Sequence, residues 1–299
     1  MADHRKNLTE ENGRLLRNIA AASVGVALLL VSVKLAVWLL TDSLSILASL
    51  VDSMLDAASS FLNMLAIRYS LKSADDDHRF GHGKAEYLAG LGQALFIACS
   101  ALFIGFQAFE RLSAPRVLQN TGAGIAIMIF AIAVTGCLVY FQNRVVKKTG
   151  CMAVKADSVH YSADLFTNTG SIGALVLAGF GWPEADPFIA MVIAAVVLYN
   201  AWQVGHESSQ LLMDRGLPPE TEKEIERIAL SHTTVLGVHD IRTRLSGQAR
   251  LIQLHLELEE NLPLGEAHRV AKEVEAAIEA VIPGADVIIH QDPVKNGAS

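Results

Sequence analysis

Six stretches of the 299-residue chain run almost unbroken in apolar residues, at roughly 15–41, 44–69, 84–111, 118–142, 151–180 and 184–212. A helix that crosses a bilayer needs about 20 mostly apolar residues, so each stretch predicts a transmembrane helix. Turn-like breaks separate them: TDS at 41–43, SAPR at 113–116, KKTG at 147–150 and GFGWPEADP at 179–187. The second and fifth stretches are less apolar than the others because they contain carboxylates. The opening MADHRKNLTEENGRLLRN is a polar leader. The apolar run behind it is too long for the core of a cleavable signal peptide and reads as the first span.

From residue 213 the pattern changes. PPETEKEIERIALSH (218–232) is amphipathic at helical spacing with Pro at its start. VLGVHDIRTRLSG and QARLIQLHLELEE alternate apolar and polar residues, as two strands joined at a Ser-Gly turn do. LGEAHRVAKEVEAAIEAVI predicts a second helix and ADVIIHQDP a last strand. The order α-β-β-α-β predicts a two-layer, ferredoxin-like α+β domain with both helices on one face of the sheet. The expected organisation is a leader at 1–14, a six-helix membrane domain at 15–212 and a soluble domain at 213–299. About 85 residues suffice for such a core, but only marginally.

Composition sharpens this division. The chain is 52% hydrophobic with a mean hydropathy of +0.35, and its net charge of −7 says little about partners because much of the acid lies in the tail. The cations are more telling. One set of connections holds Arg5, Lys6, Arg14 and Arg17, then Arg68, Lys72, Arg79 and Lys84, then Arg144, Lys147 and Lys148; the alternate set holds Arg111 and Arg116. The positive-inside rule makes the first set cytoplasmic, and with it both termini and the tail. No GxxxxGK[ST] loop is present, which argues against an ATP-driven pump. Cys99, Cys137 and Cys151 are scattered, form no CxxC pair and read as packing residues.

Within the apolar stretches the polar exceptions are ordered. Asp52 and Asp56 lie at i, i+4 in SLVDSMLDAASSF, and His160 and Asp164 at i, i+4 in DSVHYSADLFTN, so each pair shares one helix face. At about 1.5 Å of rise per residue, Asp52 and Asp56 fall about 12 and 18 Å below the outer surface. His160 and Asp164 fall about 14 and 20 Å above the inner one. In a hydrocarbon core of roughly 30 Å the two pairs meet near the midplane. No Lys or Arg lies at that depth, and Lys34, near the outer end of the first stretch, fits a snorkelling lysine. Any one of these residues could be a polar group hydrogen-bonded between helices. Three carboxylates and an imidazole together call for a divalent cation, and an O3N set suits zinc or a close relative.

Other clusters are open to more than one reading. Asp75, Asp76, Asp77, His78 and His82 in SADDDHRFGHGKAE fit either a surface metal site or a solvated loop. The tail holds His232, His239, His255, His268 and His290 with Asp240 and Asp292, and alternation puts His290 and Asp292 on one face of the last strand. Asp157, one turn before His160, fits either the approach to the central site or a solvated carboxylate at a helix start. His206 and Glu207 read as interfacial.

SLVDSMLDAASS, DDDHRFGHGKAEYLAGL and DSVHYSADLFTN, with the six stretches and the α-β-β-α-β tail, resemble bacterial members of the cation diffusion facilitator family over essentially the whole chain. The resemblance implies a homodimer in the bilayer of the bacterial inner membrane that exports divalent metal in exchange for protons by alternating access, with no nucleic-acid partner. It implies a transport site of Asp52, Asp56, His160 and Asp164, with His160 indicating Zn2+, and Cd2+ or Fe2+ as further ions. It implies a zinc site of Asp75, His78 and His82, and a binuclear site of His239, His255, His268, His290 and Asp292 at the dimer interface. It also implies a salt-bridge interlock between Lys84 and Asp214. A membrane metalloenzyme would need an open metal position and a separate acid or base, neither of which is evident; a metal sensor would need an output module that the tail lacks.

Overall fold

The computed structural model describes residues 2–42, 44–113, 122–180, 182 and 185–295. Six long helices come first: α1 (Ala2–Thr41), α2 (Leu44–Ser70), α3 (Ala85–Ser113), α4 (Gly122–Thr149), α5 (Met152–Gly179) and α6 (Ala185–Leu212). They follow the six apolar stretches with one difference. α1 begins at Ala2 and runs through the polar leader, whose Glu, Leu and Arg residues favour helix and which contains no Pro. Arg116, residues 118–121 at the start of the fourth stretch, and parts of the breaks at 41–43, 113–116 and 179–187 lie outside the described residues. α1, α2, α3, α4 and α6 are long and apolar enough to cross a membrane; α5, which carries Lys155, Asp157, His160 and Asp164, falls short of that measure.

The chain divides into two compact units, Asn12–Lys72 with Ala85–Ser209, and Met1–Glu11 with Ser73–Lys84 and Gln210–Ser299. In the first, α5 is the central element. Its opening turns are buried at Cys151, Met152, Ala153, Val154, Ala156, Asp157 and Ser158. Cys151, Ala153 and Val154 pack with Leu16 and Ile19 of α1, Met64 and Ile67 of α2, and Leu138 and Val139 of α4. A second cluster joins Ile97 and Ala101 of α3 to Val197 and Ala201 of α6, with Val159 and Ala163 of α5 against it. The outward faces are apolar, with Leu28, Leu95, Phe103, Phe106 and Trp202 exposed. A helix whose polar groups turn inward and whose large apolar groups turn outward suits a hydrocarbon solvent.

In the second unit α7 (Pro219–Leu230), β1 (Gly237–Ser246), β2 (Ala249–Glu259), α8 (Leu264–Val281) and β3 (Ala285–Val294) realise the expected order. The sheet runs β1-β2-β3, with β1 antiparallel and β3 parallel to β2. Strand alternation buries Ile252, Leu254, Leu256 and Leu258 of β2 against Ile225 and Ile228 of α7 and Val270, Val274 and Ile278 of α8. Each such side chain contributes about 1.5–3 kcal/mol of burial. The intervening Gln253, His255 and Glu257 stand on the opposite face, which the helices leave uncovered.

The 73–84 loop belongs to this unit through a close backbone approach. A Cβ at Gly83 would lie 2.3 Å from the Ser246 carbonyl oxygen at the β1–β2 turn, and one at Gly247 2.9 Å from the Gly83 Cα. Gly247 also has φ +60, in the left-handed region. Gly83→Ala must therefore push the loop off the turn, because backbone atoms cannot yield as side-chain ends do. Hydrogen exchange of the full-length protein should rise at 73–84 and 245–248 together in this variant, and unchanged protection in both segments would contradict the contact.

Candidate metal centre

α2 and α5 bring together three of the four residues that helical rise predicts near the midplane. The i, i+4 spacing stacks His160 and Asp164 along one face of α5, and the packing of α2 against that face delivers Asp56. His160 Nε2 lies 3.1 Å from Asp56 Oδ1 and 3.9 Å from Asp164 Oδ2. One donor atom of each residue lies within 4.8 Å of the other two. Ligands about 2.0–2.1 Å from a tetrahedral zinc stand about 3.4 Å apart, close to these separations. The imidazole is buried, with the Phe96 ring edge-on at 5.9 Å and Tyr161 beside it at 5.6 Å. Asp52, a helical turn earlier on α2, is exposed and does not join the three within that distance. Lys34 differs from the snorkelling expectation: its Nζ turns onto α2, donating to Ser53 Oγ at 2.6 Å and the Ser49 carbonyl at 3.2 Å.

In the other unit Asp75, His78 and His82 of the loop come together. Asp75 Oδ1 lies 3.3 Å from His78 Nδ1, and Asp75 Oδ2 lies 3.3 Å from the deeply buried His82 Nε2. The His78 N–H donates to Asp75 Oδ1 at 2.8 Å, and the two rings stand 4.6 Å apart. Asp76 faces Arg79 instead, at 3.9 Å.

Lys84 Nζ meets Asp214 Oδ1 at 2.8 Å, and Arg244, which sequence reasoning missed, meets Asp214 Oδ2 at 3.1 Å. Asp214 follows α6 with φ +61, a conformation that aspartate tolerates better than most residues. Partial burial works to raise its carboxyl, but the Lys84 ammonium and Arg244 guanidinium more than offset this and hold it below the ordinary carboxylate value. The ion pairs thus persist through neutral pH and are lost only in acid, below that value. Arg244 also stacks over Phe80, 5.1 Å from the ring centroid.

On the open face of the tail sheet three imidazoles stand in register, His239 opposite His255 on the antiparallel ladder and His255 beside His290 on the parallel one. Asp292 joins them, 2.8 Å from His255 Nδ1, 3.2 Å from His239 Nε2 and 3.2 Å from His290 Nε2. The hydrogen bond from His255, with the charge of the neighbouring imidazoles, holds Asp292 below the ordinary carboxylate value. Donors of His239, His255 and Asp292 fall within 4.8 Å of one another. His268 is not brought to this cluster: α8 packs on the apolar face of the sheet, and His268 is exposed there. His232, left out of the set, pairs with Glu273 of α8 at 2.9 Å.

Family models match both units. Residues 20–213 match the cation efflux transmembrane domain and residues 217–294 the cation efflux protein cytoplasmic domain. The chain belongs to the cation efflux family. Cation-efflux pump FieF of Citrobacter koseri is 48% identical over 286 residues, covering 96% of this chain and 95% of the relative. FieF of Salmonella arizonae is 47% identical and that of Klebsiella pneumoniae 46%, with the same coverage. A solved structure of CzrB is 34% identical over 26% of this chain and 99% of its own, with a TM-score of 0.26. As a cation efflux protein the chain is a multi-pass membrane transporter of divalent metal cations, not an enzyme, and its cytoplasmic domain is of a dimerising type.

Several polar pairings of this efflux protein were not legible beforehand. Glu257 faces His239 Nδ1 at 3.1 Å, and alternation with His255 along β2 could have placed it. Asp240 lies 3.8 Å from His255 because Asp240 and Ile241 oppose one β2 residue in a bulge, with Asp240 at φ +48. Glu86, buried at the start of α3, accepts a hydrogen bond from the Cys151 thiol at 3.0 Å. Lys155 pairs with Glu207 across α5 and α6.

Proposed function

We propose that this protein exports zinc, with cadmium and ferrous iron as further substrates, as a metal/proton antiporter working by alternating access. The observation that carries the reading is the meeting of Asp56, His160 and Asp164 inside the helical unit. Asp52, one turn away on the same helix face, is the fourth ligand of the proposed transport site. An imidazole among carboxylates favours zinc and its neighbours over magnesium or calcium. Metal binding requires a neutral imidazole and ionised carboxylates, so proton and metal compete for the same atoms. That competition supplies coupling: metal loads from one side and leaves as protons arrive from the other.

The Lys and Arg asymmetry supports a bacterial inner-membrane protein with both termini cytoplasmic. On this reading residues 1–14 are a cytoplasmic leader, 15–212 the transport domain and 213–299 a cytoplasmic metal-binding domain of a homodimer. Asp75, His78 and His82 hold one further zinc. His239, His255, His290 and Asp292, with His268, hold a binuclear site where two copies meet. Lys84 and Asp214 form an interlock at the membrane face.

Two measurements test this. His160→Asp creates an all-oxygen site and should move zinc-over-manganese selectivity in proteoliposome flux by about tenfold or more toward manganese; an unchanged ratio would remove His160 from the site. Zinc uptake into inside-out vesicles should acidify the external medium and respond to an imposed pH difference. Accumulation indifferent to pH difference and to proton ionophores would rule out antiport with protons.

A further inference from the structure

One turn before His160, Asp157 is fully enclosed and sits at the meeting point of five helices. Gln142 of α4 donates through Nε2 to Asp157 Oδ2 at 2.7 Å and to Ser23 Oγ of α1 at 3.0 Å. Gln93 of α3 donates to Asp157 Oδ1 at 3.2 Å, and Ser60 of α2 reaches the same oxygen at 3.5 Å. Tyr161, the next turn of α5, donates to the Ser23 carbonyl at 3.2 Å and lies 2.8 Å from Ser60 Oγ. Ser23, Ser60, Gln93, Gln142, Asp157 and Tyr161 are all buried. Among the described residues every hydrogen-bond partner of Asp157 is neutral.

Two features separate this cluster from ordinary interhelical packing. A carboxylate only accepts hydrogen bonds, so each side chain bonded to it must turn a donor toward it, and a single group fixes the orientation of three helices about α5. Its position then matters for the metal residues. Asp157, His160 and Asp164 are i, i+3 and i+7 on one helix, so whatever fixes the depth and rotation of α5 at 157 also fixes them at 160 and 164. Metal ligands need placement within about 0.5 Å to work as a set.

We propose that Asp157 is a positioning residue for transport. It ties α5 to α2, α3 and α4, and through Gln142 to Ser23 of α1, and thereby sets the geometry in which His160 and Asp164 meet Asp56. This rests on the reading of Asp56, His160 and Asp164 as the transport site.

The test uses the full-length protein carrying His78→Ala, His82→Ala, His239→Ala and His290→Ala, with cobalt(II) as the probe, so that its visible absorption reports the central site. In that background Asp157→Ala should alter the cobalt band and raise the apparent KM for cobalt flux by about tenfold or more, beyond any change in maximal rate. Asp157→Asn, which keeps an acceptor oxygen, should lie closer to the parent than Asp157→Ala in both readouts. A parental band and KM in Asp157→Ala would overturn the proposal. If Asp157→Ala does not fold, Gln93→Leu and Ser60→Ala each remove one donor, and a parental band and KM in both would overturn it equally. His160→Ala is the control: it should abolish the band, and a band that survives His160→Ala would fault the assignment of the transport site itself.

Discussion

A carboxylate removed from water and surrounded by hydrocarbon costs several kcal/mol unless something answers its charge or its lone pairs, and α5 carries two such groups with an imidazole between them. Much of the helical unit can be understood as the response. α5 is the least able of the six helices to face lipid, and it is the one enclosed by the others. Along its length the same problem is met in two ways. At Asp157 neutral amides and a hydroxyl from three neighbouring helices turn their donors inward. At Asp164 the partner is His160, shared with Asp56 of α2, and the result is a cluster whose ligand atoms lie within 4.8 Å of one another. The two arrangements are a helical turn apart, at Asp157 and His160.

The tail applies a different economy. Its sheet has one apolar face, covered by α7 and α8, and one polar face on which three imidazoles and a carboxylate line up across the strands. A domain of this size has a marginal core, and small domains commonly gain stability from a metal or a second subunit. Both fit a dimerising domain whose open face gathers metal-binding side chains. The 73–84 loop joins this unit through Gly83 on the β1–β2 turn, Phe80 on Arg244 and Lys84 on Asp214, so its own Asp75–His78–His82 cluster is seated on the same body.

The fold was largely legible because its signals are long and periodic. Helix-length apolar runs, period-two strands and Gly-bearing turns fixed the order of elements, and the i, i+4 pairs on the second and fifth stretches fixed which faces meet. Short-range backbone choices were not legible. The bulge at Asp240 and the extension of α1 through the leader depend on local conformation that alternation and hydropathy do not encode. Nor were pairings between residues far apart in sequence, such as Asp157 with Gln93 and Gln142 or Asp214 with Arg244: composition identifies a buried carboxylate, but only packing selects its partners. His268 illustrates the converse. It was included by resemblance, and within one chain α8 holds it on the far side of the sheet from the other histidines.

The central claim is that the cluster joining α2 to α5 carries the metal across the membrane. Asp56→Ala tests it most directly, because Asp56 is the residue through which α2 reaches His160. Radiolabelled zinc flux in proteoliposomes should be abolished in this variant while the purified protein remains a folded dimer that still binds zinc through its loop and tail residues. Wild-type zinc flux through Asp56→Ala would contradict the account.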